Sequence, residues 1–110
     1  MTPGIYQVKF VSNVQGEGWG VITVDRGRLH GGDMNYLYKG RFQVDGGKVT
    51  AQVQASNYTG QLTSVFGLLN IFDLNLAGTA SAGTFNLSGN MHGRPDLRIT
   101  ISGTKKLDLA

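Results

Sequence analysis

Along almost all of its 110 residues the chain alternates apolar and polar side chains, in eight short runs closed by turns rich in glycine, asparagine or aspartate. A period of two sends successive side chains to opposite faces of an extended strand, so each run has one face to bury and one to wet. No stretch of ten or more residues holds a 3.6-residue period. That removes the helical crossovers parallel strands need and leaves consecutive antiparallel hairpins.

The first run, 5–12, sets Tyr6, Val8 and Phe10 on one face against Gln7 and Lys9, and a polar turn over 13–16 follows. The second, 17–25, carries Gly18, Gly20, Ile22 and Val24 inward and Trp19, Val21 and Thr23 outward. Its outer face is itself partly apolar, which suits contact with another subunit. Leu29 begins a short third run that Gly31, Gly32 and Asp33 interrupt. In the fourth, Tyr36, Tyr38, Gly40, Phe42 and Val44 alternate with Leu37, Lys39, Arg41, Gln43 and Asp45, and Asp45-Gly46-Gly47 makes a tight hairpin signal. The fifth answers with Val49, Ala51, Val53 and Ala55. Residues 57–67 are irregular, and 62–69 fits one helical turn or a bulged strand. Phe72, Leu74 and Leu76, then Phe85 and Leu87, then Leu97, Ile99 and Ile101 mark three more strands. Residues 104–110 read as a tail, frayed or docked on a neighbour.

The expected fold is all-β, a single domain over 1–110 forming a small eight-stranded antiparallel barrel. Closure removes exposed edges and leaves an interior for side chains or one small ligand. A β-sandwich satisfies the same alternation. Glycine, 17 of 110 residues, is at about twice its average usage, and in such a fold it supplies turns, bulges and small inward positions.

Ten Lys and Arg against seven Asp and Glu give a net charge of +3, which favours weak contact with acidic surfaces. The basic residues are scattered along the chain, with no run setting several on one face beside exposed aromatics, so direct nucleic-acid binding is not expected. There is no cysteine; disulfide scaffolds and thiolate chemistry are excluded, and a reducing cytoplasm fits best. No signal peptide is read at the N-terminus, and the longest apolar stretch, 65–69, is far too short for a membrane span.

Catalytic equipment is sparse. His30 and His92 stand in separate glycine-containing turns without carboxylates at ligand spacing, so no metal site is expected. The Gly16, Gly18, Gly20 series lacks the third glycine of a dinucleotide loop and precedes a strand, not a helix. No serine sits in a nucleophile elbow. Asp33, Asp73 and Asp96 serve an enzyme only if the fold gathers them; otherwise they are turn formers. Neither catalytic residues nor a cofactor are expected.

Tyr6, Tyr36 and Tyr38 fall on inward faces beside Gly18, Gly20 and Gly40. With Phe42 they form a candidate ligand cavity, phenols at the rim of an apolar space suiting an amphipathic molecule. The same three tyrosines also fit an ordinary core with hydroxyls reaching backbone carbonyls. Trp19, Val21 and Leu37, all outward, are with Asp45 the candidate protein interface, since aromatics anchor interfaces; packing under the C-terminal tail is the other fate of Trp19.

Taken in order, Gly4-Ile5-Tyr6, Phe10-Val11-Ser12, Gly16-Glu17-Gly18, Gly31-Gly32-Asp33 and Tyr36-Leu37-Tyr38-Lys39-Gly40 resemble the GrlR family of small bacterial regulators of type III secretion. The resemblance runs most strongly over 4–47 and continues more loosely through Phe66-Gly67 and 72–78. It implies a lipocalin-like barrel, a homodimer, an apolar interior able to admit a lipid, and negative regulation by contact with a transcriptional activator. The family's namesake makes that contact through an acidic Glu-Asp-Glu-Asp turn; the corresponding hairpin here, Val44-Asp45-Gly46-Gly47, has Asp45 alone. The leading expectation is therefore a non-enzymatic, dimeric regulator that sequesters a protein partner, and the alternative is a carrier or sensor of an apolar small molecule.

Overall fold

The computed structural model of the protein describes residues 1–14 and 16–110; Gln15, within the expected turn over 13–16, lies outside them. Eight strands follow in order: β1 Gly4–Ser12, β2 Glu17–Asp25, β3 Arg28–Gly32, β4 Tyr36–Asp45, β5 Lys48–Asn57, β6 Ile71–Ala80, β7 Thr84–Met91 and β8 Arg94–Leu107. Each pairs antiparallel with the next, and β8 returns to β1, so the sheet closes into an up-and-down barrel. No described residue is helical. The architecture is all-β and consistent with a small lipocalin-like barrel.

Burial follows the alternation. On β5, Val49, Ala51, Val53 and Ala55 are buried while Lys48, Thr50 and Gln52 are exposed. Tyr6 and Val8 of β1, Ile22 and Val24 of β2, Leu74 and Leu76 of β6, Phe85 and Leu87 of β7 and Ile99 of β8 join them in one core. Apolar side chains thus lie inside and polar ones mostly outside, the reverse of a lipid-facing barrel. Among the described residues, no helix is long and apolar enough to cross a membrane.

Three local expectations need correction. Residues 104–107, read as tail, complete β8: Thr104 sits opposite both Gln7 and Thr84, and Leu107 opposite Ile5. Their polar sequence carries no buried face, so periodicity misses them, yet closure requires partners for the backbone groups of β1. Gly31 and Gly32 do not interrupt β3, because each pairs with β2 on one side and β4 on the other; the break comes at Asp33. Val44 keeps the inward phase of β4 but is 44% exposed, beside the turn that joins β4 to β5.

The β2–β3 hairpin turns through Arg26 and Gly27, with φ of 51° and 77°. Both central residues are left-handed, as a two-residue turn matched to strand twist demands, and that suits glycine but strains arginine. The Arg26 side chain is almost wholly exposed and has only a 3.9 Å approach to Asp25 as compensation. Arg26→Asn is expected to stabilise the protein by about 0.5–1 kcal/mol, seen as a higher urea midpoint at unchanged slope.

Candidate functional site

The interior is not completely filled. A cavity of about 260 Å³ lies between the barrel walls, bordered by Val8, Ile22, Leu29, Val53, Leu74, Leu76, Leu87 and Ile99. At the end reached by Tyr36, the 58–70 connection folds back over the barrel. Phe66 is buried there, edge-on to Phe72 at 5.7 Å, and Phe72 packs on Tyr36 at 6.0 Å. This connection is neither a helical turn nor a strand; a single bridge between Ser64 and Gly67 is its only ladder contact.

Hydrogen bonds hold that cover in place. The Tyr36 hydroxyl donates to the Leu69 carbonyl, and Ser12 Oγ donates to the Val65 carbonyl at 2.5 Å. Asn35 takes part twice: its Nδ2 donates to Thr63 Oγ1 at 2.8 Å, and its Oδ1 accepts from Thr59 Oγ1 at 2.7 Å. Tyr58 donates its hydroxyl to the Asp33 carbonyl at 2.9 Å and its N–H to the Asn35 carbonyl at 3.0 Å. The β3–β4 turn and the cover are therefore one laced unit. Asp33, Met34 and Asn35 border the cavity beside Thr63, Ser64 and Val65, with Met34 almost fully exposed.

Asp33 organises the rim. Its Oδ1 accepts the N–H groups of Asn35 at 2.9 Å and Tyr36 at 2.8 Å, which fixes the turn, while Oδ2 accepts the Tyr38 hydroxyl. Burial foremost, then the hydrogen bond and charge of Asp33, push the Tyr38 phenol far above its ordinary value. Of the four expected cavity residues, Tyr36 and Tyr38 border the space and Tyr6 and Phe42 do not. Tyr6 is fully buried below it, packed on Phe85 at 5.5 Å and donating to the Thr2 carbonyl at 2.6 Å. Phe42 belongs to the core without facing the cavity. Nor do the inward glycines leave space: the Phe10 ring lies over Gly18, so close that a Cβ there would sit 2.4 Å from it, and the Tyr38 ring covers Gly20.

On the outside, Trp19, Val21 and Leu37 are each about half exposed. Register places Val21 opposite Gly32 and Gly32 opposite Leu37, so the two apolar side chains flank a bare backbone on one outer row; through Ser56 the row continues to Ile71. Lys9 lies 5.2 Å over the Trp19 ring and pairs with Glu17 at 3.1 Å. Asp45 is exposed on the β4–β5 hairpin, in a different part of the barrel surface.

The loop acids do not converge. Asp33 is at the cavity rim, Asp73 is on the outer face of β6, and Asp96 pairs with Arg94 at 3.0 Å on β8. Among the described residues no cluster of three or more metal-ligating side chains occurs. A second concavity, of about 500 Å³, has no counterpart in the local periodicity: Arg28 and His30 of β3 lie beside Lys39 and Arg41 of β4 on one outer surface. The trace of it in the sequence is two basic pairs at spacing two, mirrored about a turn, which only the strand register can bring together.

A small closed eight-stranded barrel with an apolar interior, covered at one end, is the architecture on the page, consistent with a small lipocalin-like barrel. The chain belongs to the GrlR family, whose model, described as a type III secretion system negative regulator, matches residues 1–109. No curated protein is significantly similar to it.

The buried phenol gives a pH test of the rim. A native Tyr38 that resists ionisation adds stability that is constant below its unfolded value near pH 10 and is lost as the pH rises past it. Urea midpoints at roughly pH 9 and pH 11 should therefore fall in the native protein and fall less in Tyr38→Phe; equal declines would refute the assignment.

Proposed function

We propose that this protein is a negative regulator that acts by binding and sequestering a protein partner, as a homodimer joined through the β2–β4 outer face. Membership of a regulator family supports the role. The observation that carries the mode of action is a set of outer apolar side chains, each about half exposed: Val21, Leu37 and Ile71 on one row, with Trp19 two residues from Val21 along β2. Contiguous exposed apolar surface of this kind marks interaction sites, and aromatic anchors dominate their energetics. A transcriptional activator is the partner the family suggests, and the single acid Asp45 on the β4–β5 hairpin limits any contact that depends on an acidic turn. A cytoplasmic setting goes with this reading.

Light scattering should give a dimer mass, and Val21→Asp with Leu37→Asp should give a monomer while shifting Tm by less than about 3 °C, as exposed substitutions do. A monomer at high concentration in the unsubstituted protein would end the dimer reading. Native mass spectra of protein purified from its host should carry a co-purifying protein, and spectra without one count against sequestration.

The cavity favours a second reading, a carrier or sensor of an apolar small molecule. Its volume of about 260 Å³ lies just under the usual range of about 300–1,000 Å³ for ligand pockets, so the ligand would be small. Titration with medium-chain fatty acids, followed by native mass spectrometry, should then show one bound molecule per chain. No binding of any chain length would end this reading.

A further inference from the structure

The outer surface of β3, β4 and β5 carries an arrangement that the fold alone does not call for. In the β3–β4 register Arg28 stands directly opposite Arg41, and His30 directly opposite Lys39. All four side chains are exposed and line one concavity of about 500 Å³. Like charges facing each other across an antiparallel pair destabilise the sheet. Among the described residues none of these four makes an ion pair within 4.0 Å. The nearby acids do not answer them: Asp25, opposite Arg28, approaches Arg26 at 3.9 Å, and Asp73, at the far edge, accepts from Gln54 Nε2 at 3.3 Å. Gly40, without a side chain, and the backs of Val53 and Leu74 floor the trough.

We infer that this trough is the docking site for an extended acidic segment of a protein partner. The inference gives the partner of the proposed regulator its chemistry, and so rests on that reading. Charge complementarity selects the occupant. The Arg28–Arg41 and His30–Lys39 rows lie two residues apart along the strands, a distance of about 6.8 Å, which is also the distance between side chains at alternate positions of an extended peptide. A segment of the form Glu-x-Glu laid along the strands therefore sets one carboxylate over Arg28 and Arg41 and the next over His30 and Lys39. Arginine is suited to the first position because its planar fork takes a carboxylate bidentately. Gln52 and Gln54, next across the sheet, offer amide donors at the edge. The lining holds no Phe, Tyr or Trp, the large stacking platforms of single-strand binders, and its two imidazoles, His30 on β3 and His92 in the β7–β8 turn, are on separate elements, which disfavours single-stranded nucleic acid.

The test is an NMR titration of the isotope-labelled full chain with the acetylated peptide Gly-Glu-Ser-Glu-Ser-Glu-Gly, its glutamine counterpart serving as control. Saturable shifts confined to 28–30, 39–41 and 52–54, absent with the control and abolished near 0.5 M salt, where screening shortens to about 4 Å, are expected. Arg28→Gln with Arg41→Gln should weaken binding roughly tenfold while raising Tm by about 2 °C, because a repulsive pair is removed. Arg28→Lys with Arg41→Lys should bind at intermediate strength, keeping charge but losing the fork. An absence of shifts overturns the inference, as do shifts equally large at Lys9, Lys48 and Lys105. Tighter binding of a single-stranded oligonucleotide than of the peptide assigns the face to nucleic acid and overturns it as well. The shift map on the unsubstituted chain judges the trough whether or not the variants fold. Native spectra lacking a co-purifying protein would count against sequestration and leave the trough to the titration.

Discussion

The pairing of β1 with β8 is the contact on which everything else in this molecule depends. An open meander of eight strands would expose two rows of backbone donors and acceptors and invite association edge to edge. Closing it satisfies both rows at once, from Ser12 opposite Ile99 to Leu107 opposite Ile5, with a register shift between Ile5 and Tyr6 that lets the long last strand follow the first. Closure also sets the diameter, and with eight strands the diameter sets how much room the side chains must fill. The cavity is the part of that room that Val8, Leu74, Leu87 and their neighbours leave free.

The rim depends in turn on a single carboxylate. Asp33 holds the β3–β4 turn through two backbone N–H groups and holds Tyr38 through its other oxygen, so turn geometry and wall geometry cannot change independently. Asn35 and Tyr58 extend the same unit into the cover. The cover is fastened to β1 by Ser12 and to β4 by Tyr36, both through its own carbonyls. The cover over the interior is thus held by hydrogen bonds and by Phe66, outside the ladders of the barrel.

Elements whose inner and outer faces differ in polarity were legible from sequence alone. The fourth and fifth strands, with Phe42 against Gln43 and Val49 against Lys48, begin and end close to where their alternation does. The end of β8 was not legible, because Thr104, Lys105 and Lys106 bury no common face and are placed by backbone pairing with the neighbouring strands. The cavity was half legible: inward phenols were foreseeable, but which of them face empty space depends on the Phe10 and Tyr38 rings occupying the volume left by Gly18 and Gly20. The basic trough was least legible, since Arg28 and Arg41 meet only through register, a long-range property that local periodicity does not encode.

Alternation along closed strands has a further consequence for how such a protein can diversify. On β4, Tyr38 and Phe42 speak to the interior while Lys39 and Arg41 speak to the surroundings, and the two sets never exchange faces. Inner and outer positions are two interleaved alphabets written on one backbone. A descendant can therefore acquire a new protein partner by rewriting every second letter, with its core spelling, its closure and whatever it holds inside left as they were.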